Sequence, residues 1–88
     1  MKVFADGKEM SPSQLLADLK EVGKMPAFVV IEDSDNCTYD VFTRVTPEGD
    51  HWVQESWEWM GGEPPTCRDA DRDVPVCLHA VQRALGEK

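Results

Sequence analysis

The sequence predicts an α+β fold: an antiparallel meander of three to four strands with two amphipathic helices, in the order (β)-α-β-β-β-α. Three observations predict it. Apolar residues recur at helical spacing near each end of the chain. Between those stretches lie three runs rich in strand-forming residues. Turn sequences separate the runs, which favours short antiparallel connections over crossovers. At 88 residues the chain is the length of one domain, and one modest core is all it can bury.

Each element has a local reason. Residues 2–5 form a short strand that stops at the Asp6-Gly7 turn signal. Ser11-Pro12-Ser13-Gln14 then reads as a helix start, with a capping serine, a proline in the first turn and a glutamine three residues after the cap. Leu15, Leu16, Leu19 and Val22 give that helix one apolar stripe, and Gly23 stands where a left-handed cap belongs, so the helix is expected over 12–22. Ala27-Phe28-Val29-Val30-Ile31 is a strand apolar on both faces.

Asp33-Ser34-Asp35-Asn36 is a turn by composition. From Cys37 to Thr46 the chain alternates: Cys37, Tyr39, Val41 and Val45 share one face, while Thr38, Asp40, Arg44 and Thr46 share the other with Phe42. Pro47-Glu48-Gly49-Asp50 is the next turn. His51 to Trp59 follows as a strand with Val53, Trp57 and Trp59 on one face. Pairing Val45 with Val53, Val41 with Trp57 and Tyr39 with Trp59 stacks apolar on apolar, and makes that face the expected core. Phe28, Val30, Phe42 and Trp52 are then assigned to the outer face. Gly61 to Asp73 carries two glycines, two prolines and no periodicity, and reads as a long polar loop. The last helix is expected to begin near Asp73, with Pro75 in its first turn, Val74, Cys77, Leu78, Val81 and Leu85 at helical spacing, and Gly86 at its end.

His51-Trp52-Val53 and Trp57-Glu58-Trp59, then a cysteine-bearing loop, then the run from Val74-Pro75-Val76-Cys77 to Ala84-Leu85 resemble the C-terminal half of the small phage-encoded "ABA sandwich" domains. The resemblance implies a phage or prophage origin and a helix–sheet–helix layering. It brings no catalytic residues with it.

Charge is the main functional signal. The chain has a formal net charge of −8, and it is concentrated in the middle, where twelve carboxylates between Glu32 and Asp73 face only Arg44, Arg68 and Arg72. Such a block repels nucleic acid and anionic lipid and attracts basic surfaces. The first residues have no apolar run that would make a signal peptide, and the longest apolar run, 27–31, is far short of a membrane span. Three cysteines, an odd number with no C-x-x-C pair, argue for a reducing cytoplasm over a disulfide framework.

No catalytic constellation is assembled. Asp69-Ala70-Asp71-Arg72-Asp73 opens like a calcium loop, but Val74 replaces the required glycine and Ala80 the bidentate glutamate. His51, Cys67, Cys77 and His79 lack structural-zinc spacing, and Cys77 and His79 would project about 200° apart on a helix. Cys77 is better read as a small core residue, with His79 facing water. No metal, cofactor or enzymatic activity is therefore expected.

The expected function is protein binding. Asp33, Asp35, Glu48, Asp50, Glu63, Asp69, Asp71 and Asp73 form the expected acidic surface, with Phe42 and Trp52 as exposed aromatics beside it. The partner is a basic protein surface, and in a phage setting a host nucleic-acid-binding defence complex such as a CRISPR effector, with carboxylates standing in for phosphates. The plain alternative is that these charges only keep the chain soluble. Two other classes compete: sequestration of a small molecule or nucleotide on a tryptophan platform, and self-association as a structural phage protein or homodimer.

Overall fold

The computed structural model describes residues 1–74 and 77–86, without the side chains of Val22, Asp73, Cys77, His79 and Ala80. It contains one six-stranded sheet: β1 (Lys2–Ala5), β2 (Lys8–Met10), β3 (Phe28–Asp33), β4 (Thr38–Arg44), β5 (Trp52–Glu58) and β6 (Thr66–Val74). The spatial order is β2-β1-β3-β4-β5-β6, and every neighbouring pair is antiparallel. Helix α1 (Pro12–Asp18) and a 3-10 turn (Val22–Lys24) lie between β2 and β3, and α2 (Cys77–Ala84) follows β6. The expected three- to four-stranded meander with two full helices is thus corrected to a larger sheet with two short helices.

Two strands escape the sequence reading. Asp6 and Gly7 both have positive φ (52° and 84°), the backbone of a tight two-residue hairpin, so the chain folds straight back into β2. The stretch expected to be a polar loop contains β6, an edge strand of alternating charge. Pairing with β5 holds it extended despite the low strand propensity of aspartate, and its charges blunt an edge that would otherwise invite further pairing. Extended backbone also removes the calcium-loop reading of 69–73.

Helix α1 starts as its sequence predicts. The Gln14 amide donates to Ser11 Oγ at 3.2 Å, and Pro12 occupies the first turn. Gln14 turns its own side chain forward to Asp18 Oδ1 at 2.8 Å, so the reciprocal half of the capping box is not made. The helix stops at Asp18 rather than residue 22, and the following turn is 3-10 instead of a left-handed glycine cap. At the other end Pro75 lies outside the described residues; α2 begins at Cys77, and Gly86 (φ 77°) closes it by donating to the Arg83 carbonyl at 3.0 Å.

The largest correction concerns which face of the sheet is inside. Val3, Ala5, Val29, Ile31, Phe42, Trp52 and Val74 point to one side and pack with Leu15 and Leu19 of the α1 segment and Val81 of α2. Phe42 and Trp52 are 0% exposed. They are core residues, and the reading that made them an exposed patch is overturned. Both helices lie on this one side, which leaves two layers and not the helix–sheet–helix order that the resemblance implies. The buried Trp52 indole donates to the Gly49 carbonyl at 2.8 Å, so its polar atom is satisfied.

The register also differs from the expected one, but it does not cause the reversal. Strands β4 and β5 pair Tyr39 with Trp57, Val41 with Glu55 and Thr43 with Val53, two residues away from the expected pairing. A two-residue offset keeps each side chain on its own face. The turn sets it: Thr46 Oγ1 donates to Asp50 Oδ1 at 2.6 Å, and the Val45 amide donates to the His51 carbonyl at 3.0 Å. Phe28 and Val30 alternate with Val29 and Ile31 on β3, so they face away from Phe42, not with it.

Candidate protein-binding surface

The face turned away from the helices carries most of the aromatic residues. Reading across it, Lys2, Glu32, Tyr39, Trp57 and Cys67 form one row, and Phe4, Val30, Val41, Glu55 and Ala70 form the next. Phe28, Thr43 and Val53 make a third. Of the seven aromatic residues in the chain, only Phe42 and Trp52 serve the core; Phe4, Phe28, Tyr39, Trp57 and Trp59 are on or beside this open face. None of those five is buried, and Phe28 is 39% exposed.

The aromatic end of the face is ordered by its own contacts. Tyr39 and Trp57, directly opposite on β4 and β5, stack with ring centres 6.1 Å apart and planes within 5°. Trp59 also packs on Tyr39, with ring centres 5.7 Å apart and planes at 36°, and its amide donates to the Cys37 carbonyl at 3.0 Å, which continues the ladder past the strand end. Partial burial, then the negative fields of Cys67 and Glu55, push the Tyr39 phenol above its usual pKa. Beside these rings, Glu32, Tyr39, Trp59 and Pro65 line a cleft of about 310 Å³.

The sequence-predicted acidic residues separate into three places. Asp33 and Asp35, at the tip of the β3–β4 hairpin, share the aromatic end with Glu63 of the β5–β6 loop. Asp33 is tied into its turn, accepting from the Asp35 amide at 3.2 Å and the Asn36 side chain at 2.7 Å. Glu48 and Asp50 lie in the β4–β5 turn, at the far end of strands that span roughly 20–23 Å at 3.3 Å per residue. The Thr46 hydroxyl holds the Asp50 carboxyl below its usual range, ahead of smaller opposing and reinforcing influences.

Asp69 and Asp71 stand on the helix side of β6, opposite Ser56 and Gln54. With Asp40, whose Oδ1 accepts from Ser56 Oγ at 2.7 Å, and with Arg83 of α2 they line a cleft of about 390 Å³. Among the described residues, no three acidic, thiol or imidazole groups are placed to hold a metal ion. Asp73 lies in β6, and its side chain is outside the described residues, as are those of Cys77 and His79. The thiols of Cys37 and Cys67 are free and exposed.

Sequence reasoning names the acidic residues but places the aromatic residues of this face inside the molecule. Tyr39, Val41, Trp57 and Trp59 were grouped correctly on one face and assigned to the interior. One signal pointed the other way. A β3 strand apolar on both sides shows that neither face of the sheet is polar at its centre, so apolar content alone cannot choose the covered one. No helix among the described residues is long and apolar enough to cross a membrane. Comparison with family models, with curated proteins and with solved structures finds no match to this chain.

Proposed function

We propose that this chain is a non-catalytic protein-binding module whose open sheet face engages a basic protein surface. One observation carries the reading: most of the aromatic residues are spent outside the core, on a face that no helix covers, in a chain of net charge −8. A small domain gains most of its stability from burying aromatics, so five left on one uncovered face represent a cost to the isolated chain that a partner recovers. Aromatic anchors with a charged rim are the usual composition of a protein-binding hot spot.

Charge selects the partner. Glu32 and Glu55 lie within the face, Asp33, Asp35 and Glu63 flank one end, and Glu48 and Asp50 flank the other. A second copy of the chain would set these carboxylates against each other, whereas a lysine- and arginine-rich surface is complementary. A nucleic-acid-binding complex is the specific case, because its phosphate-contacting cations are available to carboxylates; an inhibitor of a host defence complex would work in this way.

The test places a photo-crosslinking residue at Thr43, exposed on the open face, and in a second protein at Ala17, exposed on α1. Basic proteins should be captured from Thr43 alone, and capture should disappear with Val41→Lys at low salt. Capture of equal efficiency from Ala17, or capture unaffected by Val41→Lys, would remove the reading. Crosslinking of the chain to itself from Thr43 would instead assign the face to a homodimer.

A further inference from the structure

The reading of the open face leaves unassigned the cleft at its aromatic end, between the β3–β4 hairpin and the β5–β6 loop. Its walls are of three kinds. Tyr39 and Trp59 present aromatic surface, Pro65 closes one side with a rigid ring, and Glu32 supplies a carboxylate. At about 310 Å³ the space is at the small end of ligand sites, which begin at about 300 Å³, and matches one long side chain better than a cofactor. The walls are held in place: Trp57 backs Tyr39 in parallel stacking, and the Trp59 amide is bonded to the Cys37 carbonyl. The Glu32 carboxylate makes no hydrogen bond or ion pair among the described residues, although Lys2 stands opposite it on β1.

We propose that this cleft receives an arginine side chain of the basic partner, with the guanidinium against Tyr39 and Trp59 and its edge toward Glu32. Aromatic faces attract a cation through their negative quadrupole, and a neighbouring carboxylate adds a charge-assisted hydrogen bond. A planar guanidinium does both at once, whereas a lysine ammonium is a strongly hydrated point charge that stacks poorly. The surroundings favour the same sign, since Asp33, Asp35 and Glu63 flank the site and Glu58 is already engaged by Arg68 at 3.5 Å. The proposal rests on the protein-binding reading and narrows it to one position on the surface.

The experiment is an NMR titration of the full chain with nonapeptides of arginine, of lysine and of glutamate, following the Trp59 indole N–H and the backbone amides. The arginine peptide should shift the Trp59 indole signal and bind at least fivefold more tightly than the lysine peptide, while the glutamate peptide should not bind. Trp59→Ala and the conservative Glu32→Gln should each weaken the arginine peptide about tenfold. Glu48→Gln, at the far end of the sheet, should change it less than twofold, and Lys2→Gln should strengthen it. Equal affinity for arginine and lysine peptides, or arginine binding that ignores Glu32→Gln, would overturn the assignment. Shifts at Thr43 and Val53 without any at Trp59 would sink the cleft and leave the open face standing; shifts confined to the helix side would sink both.

Discussion

The two faces of the sheet differ in what covers them. The covered face holds Phe42 and Trp52 with no exposure, and collects the buried residues of β1, β3, α1 and α2 around them. The open face has more aromatic residues and none of them is buried. Apolar content therefore does not decide which side becomes the interior. What decides it is where α1 and α2 can lay their stripes: Leu15, Leu19 and Val81 need a surface on which Val3, Ala5, Val29 and Ile31 already stand in register with Phe42 and Trp52. The polar residues of that same face, Asp40, Gln54, Ser56, Asp69 and Asp71, gather at one end around the last turn of α2. A face can be the core at one end and a charged cleft at the other.

Substitution separates the two sides by size of effect. Phe42→Ala and Trp52→Ala should each destabilise the chain by about 3–5 kcal/mol, the usual cost of emptying a filled aromatic site, as measured by urea unfolding. A loss of less than about 1 kcal/mol at both would mean that the helices cover the other face. Gly49→Ala attacks the turn beneath Trp52. Gly49 has φ 78°, and an added Cβ would run into the Met25 side chain, so a loss of about 1–3 kcal/mol is expected in the same assay.

On the open side, Val41→Ala and Trp57→Ala should each cost about 0.5–1.5 kcal/mol, the range of an exposed cross-strand or aromatic pair. Core-sized losses there would erase the difference between the faces. The smallest effect is a titration. Thr46→Val removes the hydroxyl that holds the Asp50 carboxyl down, so its pKa, followed by carbon NMR, should rise toward the ordinary aspartate value. Because the folded pKa is the lower one, the stabilisation from Asp50 is present above the unfolded value and fades as pH falls through the folded value. The variant should lose that acid-side dependence, and an unmoved pKa would show that the turn does not depend on this bond.

How much of this was legible in the sequence follows the range of the forces involved. Ser11 capping Gln14, the strand ending at Asp6, the Asp33–Asn36 turn and the grouping of Tyr39 with Val41 are set by neighbours in the chain, and they were readable. The β4–β5 register was not, because the Thr46–Asp50 bond shifts it by two residues and composition does not reveal that bond. Strand β6 was hidden because most of its residues are polar, and what holds it extended, pairing with β5 and Val74 packed in the core, depends on residues far away in the sequence. The choice of core face was hidden because it depends on packing between helices and sheet. Of the candidate surface, the carboxylates were legible one by one; their separation into three places, and the aromatic row beside one of them, needed the topology.

Hydroxyl-radical footprinting of the chain, alone and bound to the basic partner captured through Thr43, tests the central claim most directly. In the free chain Trp57, Trp59 and Phe28 should oxidise readily while Trp52 and Phe42 are protected, and binding should then protect Trp57 and Trp59 with no change at Trp52. Oxidation of Trp52 as fast as Trp57 in the free chain, or protection by the partner that falls on the helices and spares the open face, would contradict the account.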